Sequence, residues 1–104
     1  MTSPYMPTYQ MGVILHKKAV ALNKTNKSIH SMWYFDKDTN RVCICTTHPG
    51  CWIGKMGKDV QELQNALNAE IDRHNIINEK AAKEKEYVYT NIKHITITFY
   101  DCSR

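Results

Sequence analysis

The 104-residue sequence has no continuous apolar run long enough to cross a bilayer. Its opening stretch, Met1 to Gln10, carries neither a basic cluster nor a long apolar segment, so it does not read as a secretory signal. These two absences make a cytoplasmic protein with no membrane partner the expectation. Acidic residues are scarce in the first half. From Met1 to Lys58 only Asp36 and Asp38 stand against eight Lys and Arg residues, at 17, 18, 24, 27, 37, 41, 55 and 58, a net charge of +6. Asp59 to Arg104 nets −2, which leaves +4 for the whole chain. A basic half suits a polyanionic partner, although an ordinary basic surface has the same count. No internal repeat occurs. Four cysteines fit either reduced thiols or a small secreted framework, and the missing signal favours free thiols. The length sets one domain with a small core.

The most informative stretch runs from His48 to Leu67, HPGCWIGKMGKDVQELQNAL. It reads as a strand end, a Pro-Gly turn, one short apolar turn, a Gly-x-x-Gly loop and then a helix. In that helix Val60, Leu63, Leu67 and Ile71 form one apolar stripe at helical period. A glycine-rich loop that opens a helix offers backbone N–H groups to an anion, because the first turn has no intrahelical acceptors for them. Gly54 and Gly57 lack the Cβ atoms that would hold a phosphate away. Lys55 and Lys58 add positive charge at the same end. Residue chemistry alone thus points to a phosphate-backbone contact.

Gly-x-x-Gly by itself is a weak motif. The longer string Pro49-Gly50, Cys51-Trp52-Ile53, Gly54-Lys55-Met56-Gly57, Asp59-Val60 and Leu63 resembles the signature of a KH domain. In particular it resembles the type II form found in a small-subunit ribosomal protein near the mRNA entrance. The resemblance spans Val42 to Leu67. It implies an α+β fold, type II KH-like, in the order helix-strand-strand-helix-helix-strand, with helices packed on one face of a three-stranded sheet. It also implies that about four single-stranded nucleotides lie across the loop with their phosphates on it. The spacing from the loop helix to the last strand is longer than in that ribosomal relative, and an expanded variable loop would account for it. The relative's usual second domain is expected to be absent.

Along the chain, residues 1–8 contain Pro4 and Pro7 and are expected to be a flexible arm. Residues 9–104 then form a single KH-like domain. Tyr9 to Asn23 reads as a helix with Met11, Leu15, Ala19 and Leu22 on one face, although Val13 to Leu15 would also suit a strand. Ile29 to Phe35 and Arg41 to Thr47 read as strands joined by a five-residue polar loop. Val42 to Cys45 is apolar on both faces, which predicts a central or doubly covered strand. The loop helix is expected from Lys58 to at least His74, with an end or kink at Asn75 to Asn78. At about 75–91 the chain is either an expanded loop or a helix extension. Tyr87 to Tyr100 reads as the last strand, with Ile95, Ile97 and Phe99 facing one way.

The implied site is for binding, not catalysis, with no cofactor. Gly54 and Gly57 set the turn, and Lys55 and Lys58 supply charge. Met56 points to solvent or to a base. Ile53, Val60 and Leu63 are either the apolar floor under the bases or plain core. Lys93, with His94, is a candidate base-edge reader on the last strand. Trp52 and the run Trp33-Tyr34-Phe35 suit core packing more than base stacking. The expected partner is single-stranded RNA, or DNA, on its own or within a ribosome or another ribonucleoprotein. A different class of reading is a KH-like protein-interaction module or ribosome-associated accessory factor with an unused groove. A third is a zinc-stabilised small domain using Cys43, Cys45, His48 and Cys51, against which Cys-x-Cys is not the usual Cys-x-x-Cys spacing.

Overall fold

A computed structural model describes residues 7–102 of the chain. The elements are α1 (Thr8–Thr25), β1 (Ser31–Asp36), β2 (Arg41–Thr46), α2 (Pro49–Ile53), a 3-10 turn (Lys55–Gly57), α3 (Lys58–Lys85) and β3 (Thr96–Asp101). The protein is α+β, with a three-stranded mixed sheet in the order β1-β2-β3. β1 pairs antiparallel with β2, and β3 pairs parallel with β2.

β2 is the central strand, as its two apolar faces predict. Val42 and Ile44 point into the core, while Cys43 lies on the opposite face and is buried between its neighbouring strands. The helices cover one face only. Met11 and Leu15 of α1, Trp52 of α2 and Leu63, Leu67 and Ile71 of α3 pack with Val42, Ile44 and Ile95 in one cluster. Each such burial stabilises by roughly 1.5–3 kcal/mol. The other face is open, with Met32, Tyr34 and Tyr100 exposed on it. The aromatic run is therefore divided by strand alternation: Trp33 and Phe35 pack against the core and Tyr34 faces solvent.

Trp52 is fully buried, and its ring meets Trp33 edge-on at 6.3 Å and tilts against Phe99 at 6.5 Å. Its Nε1–H donates to Ser31 Oγ at 2.9 Å, and Ser31 Oγ donates in turn to the buried Thr46 Oγ1 at 2.9 Å. The indole is thus buried without an orphaned donor.

Three boundaries depart from those expected. The proposed arm lies outside the described residues from 1 to 6; Thr8 already belongs to α1, whose helical course also removes the strand alternative at Val13. The strand expected from Tyr87 begins only at Thr96. A strand needs a partner, and β2 starts at Arg41, so Thr96 N–H reaches only Asn40 O (3.1 Å) and nothing earlier in the chain can continue the ladder. The end or kink expected near Asn75 to Asn78 does not occur: α3 continues to Lys85, so of the two alternatives for this stretch the helix extension is found and the expanded loop is not.

The returning segment, Tyr87 to Ile95, is held by side chains of α3. Asn75 accepts from Ile92 N–H and donates to Ile92 O, both at 2.9 Å. Asn68 does the same with Ile95, at 2.8 and 3.3 Å. Gln64 accepts from Ile97 N–H at 3.1 Å. Tyr89 Oη donates to Asn75 Oδ1. These amides replace the missing strand partner.

Candidate nucleic-acid interface

The loop is built by two interruptions of helical geometry. Pro49 opens α2 at a position where its missing N–H costs nothing, so the Pro-Gly pair starts a helix instead of forming a separate turn. That helix ends at Gly54, whose φ of 77° only glycine adopts readily, and whose N–H donates to Gly50 O at 2.9 Å. Met56 (φ 58°) and Gly57 (φ 75°) are also left-handed. Gly57 N–H donates to Gly54 O at 3.2 Å, and Lys58 N–H to Lys55 O, before α3 begins.

The N–H groups of Lys55 and Met56 open the 3-10 turn, where no earlier carbonyl is placed to accept them, and no side chain caps the turn or α3. Lys55 and Lys58 are exposed, and Met56 is 97% exposed. The loop therefore presents backbone donors, the N-terminus of a long helix and two ammonium groups in one place. Such a constellation attracts an anion such as a phosphate.

Two further residues complete the electrostatics. Asp59, in the first turn of α3, lies against Gly54: a Cβ at Gly54 would come within 2.6 Å of Asp59 Cγ. Lys18 on α1 reaches across to Asp59 Oδ2 at 3.1 Å. The carboxylate that competes for the loop is thereby countered, and Lys18 becomes a third ammonium beside it. Sequence reasoning missed Lys18 as a site residue. The available signal was its position between Leu15 and Leu22, on the stripe that α1 turns inward.

The remaining candidates separate. Ile53 and Val60 are half-buried beside the loop, whereas Leu63, 6% exposed, is in the core. Lys93 is exposed and precedes β3 instead of lying on it. Its neighbour His94 meets Asp72 at 2.7 Å, and Asp72 lies about 21 Å down the axis of α3 from Lys58. The structure thus brings together Ile53, Gly54, Lys55, Met56, Gly57, Lys58 and Val60, and leaves Lys93 elsewhere.

Cys43 and Cys45 lie on the sheet face opposite Trp52, Cys51 is exposed on α2, and His48 Nδ1 bonds to Thr47 Oγ1 at 2.7 Å. Among the described residues no three His, Cys, Asp or Glu side chains gather as a metal-holding group. On the open sheet face the Tyr34 hydroxyl donates to the Cys43 sulfur, and that bond, which holds the proton on the phenol, is the main reason its pKa is pushed up to about 12. No helix among the described residues is long and apolar enough to cross a membrane. Comparison with protein-family models, with curated proteins and with solved structures finds no match.

Proposed function

We propose that this chain is a KH-like module that binds single-stranded nucleic acid, RNA before DNA, at the loop from Gly54 to Lys58. The observation that carries the reading is the exposed left-handed turn at the start of α3, with its opening N–H groups uncapped and Lys55, Lys58 and Lys18 around it. A phosphate seats on those donors, and the adjoining Ile53 and Val60 offer apolar surface to a base. The function is capture, without catalysis or a cofactor. Its setting, taken from the sequence, is cytoplasmic, in association with a ribosome or another ribonucleoprotein.

The test is a titration of short single-stranded RNA and DNA oligomers at fixed salt. Wild-type affinity for one such module is expected on the order of 10⁻⁴ to 10⁻⁶ M. The double variant Lys55→Asp/Met56→Asp keeps both glycines and puts two carboxylates where the phosphate sits. It should melt like wild type and bind more than about tenfold more weakly. Unchanged affinity in the folded variant rejects the loop as the contact.

One observation favours a second reading. Asp59 places a carboxylate against the same loop, and in a site used for phosphate that charge is a cost. A protein-interaction module with an idle groove would carry no such cost. Absence of binding to any oligomer by the folded wild type would select this reading.

A further inference from the structure

Among the described residues, the outer edge of β1 has no neighbouring strand. Thr47 N–H donates to His30 O at 3.0 Å, which sets the alternation of the antiparallel pair. Ser31, Trp33 and Phe35 therefore turn their backbone N–H and C=O groups outward, away from β2. Beside this edge stands α1, and two hollows lie end to end between them. One, of about 240 Å³, is walled by Met11, Gly12 and Leu15 with Trp33, Phe35 and Val42, and is almost wholly apolar. The other, of about 330 Å³, is lined by His16, Val20 and Asn23 with His30 and Ser31. Trp33 borders both, so the two form one groove along the open strand edge.

No acidic residue among those described lines either hollow. No acidic residue precedes Asp36; His16 and His30 line the second hollow, and Lys24 and Lys27 follow Asn23 at its end, in the last turn of α1 and the turn beyond it. Lys18 is taken up by Asp59. Asp36 and Asp38 lie beyond the apolar hollow, next to Lys37 and Arg41.

We propose that this groove binds an extended acidic peptide of a partner protein, which joins the outer edge of β1 as a fourth strand. The outward N–H and C=O groups repeat at the strand period and match another peptide backbone. A nucleic acid has no such ladder, and a second copy of this chain would bring together two grooves that both lack an acidic residue. Side chains of the added strand that face α1 recur every two residues. One level with Phe35 enters the apolar hollow. One level with Ser31, four residues away, meets His16 and His30. The recognised segment therefore carries an apolar and an acidic residue four apart.

Gly12 makes the inference testable, because a Cβ there meets nothing within 4 Å. Gly12→Leu fills the apolar hollow, and leucine is the better helix former, so the fold persists. A displayed library of random decapeptides is panned on the full chain, and the recovered peptides are synthesised. They should show the apolar and acidic pair, shift the backbone amide signals of Ser31, Trp33 and Phe35, and bind Gly12→Leu and His16→Glu/His30→Glu about tenfold more weakly or worse. RNA binding at the Gly54 to Lys58 loop should be unchanged in Gly12→Leu. Recovery of no such peptides, equal binding to Gly12→Leu, or shifts confined to the open face of Tyr34 and Tyr100 overturns the inference. So does an RNA oligomer that shifts the same amides and is lost in Gly12→Leu, or a dimer of the chain that Gly12→Leu abolishes.

Discussion

Gly54 and Gly57 both have positive φ, but Gly57 (ψ 14°) is in the left-handed helical region and Gly54 (ψ 176°) is in one that essentially only glycine occupies, and their surroundings differ too. A Cβ at Gly57 meets nothing within 4 Å, while one at Gly54 comes within 2.6 Å of Asp59 Cγ and 2.7 Å of its Cβ. Gly57→Ala should therefore cost only the conformational penalty, about 1 kcal/mol. Gly54→Ala puts a side chain on that glycine-only backbone and against Asp59 at the start of α3, and should cost roughly 2–3 kcal/mol. Denaturant unfolding of the two variants checks the order, and equal losses would mean that both the Gly54 backbone and Asp59 yield freely. The two glycines were legible in the sequence because glycine is the usual residue where a chain must turn left-handed. Met56 was not, since a non-glycine at φ 58° has no residue signature. The Lys18–Asp59 pair was not legible either. The partners lie 41 positions apart, and only the packing of α1 on α3 brings them together.

At the level of elements, the sheet, α1 and α3 follow the periodicity of their side chains, while the short α2 was read as a turn from the residues and entered the order helix-strand-strand-helix-helix-strand only through the KH resemblance. What periodicity does not carry is the limit of each element. Asn75 and Asn78 favour a helix stop when only local preference is weighed. In the structure the amide of Asn75 is engaged by Ile92, so it no longer competes with the backbone of α3. Ile95, Ile97 and Phe99 alternate legibly, yet the strand starts where β2 supplies a partner and not where the alternation begins. Asn75→Ala removes both bonds to Ile92 and leaves its half-buried N–H and C=O unmatched. The expected cost is about 2 kcal/mol. Gln61→Ala, whose amide bonds only to the exposed Asn65, should cost under about 0.5 kcal/mol. Urea unfolding compares the two; similar values would show that the Asn75 rung does not hold the returning segment. Amide hydrogen exchange should also quicken at Ile92 in Asn75→Ala.

On the scale of the whole molecule the protein is long, 50 × 21 × 21 Å, with a radius of gyration of 15.7 Å. A compact domain of this length has about 13 Å. The excess comes from α3, whose 28 residues extend about 42 Å. Its loop end carries Lys55, Lys58 and the Lys18–Asp59 pair. Its far end, from Glu79 to Glu86, alternates acids and bases in equal number. The basic excess of the first half is therefore not spread along the stalk. If capture occurs at the loop, the phosphates neutralised on binding should number about two, because Asp59 offsets Lys18. For a single strand the slope of log K against log salt is about −0.7 per phosphate contact, so a slope near −1.4 is expected. Lys55→Ala should flatten it by about 0.7, while Lys83→Ala in the stalk should leave it unchanged. Titrations of one RNA oligomer across a salt series measure all three. A wild-type slope of about −4 or steeper would require more contacts than the loop holds. It would move the contact from the turn at Gly54 to Lys58 onto the broad basic surface of α1 and the β1–β2 hairpin.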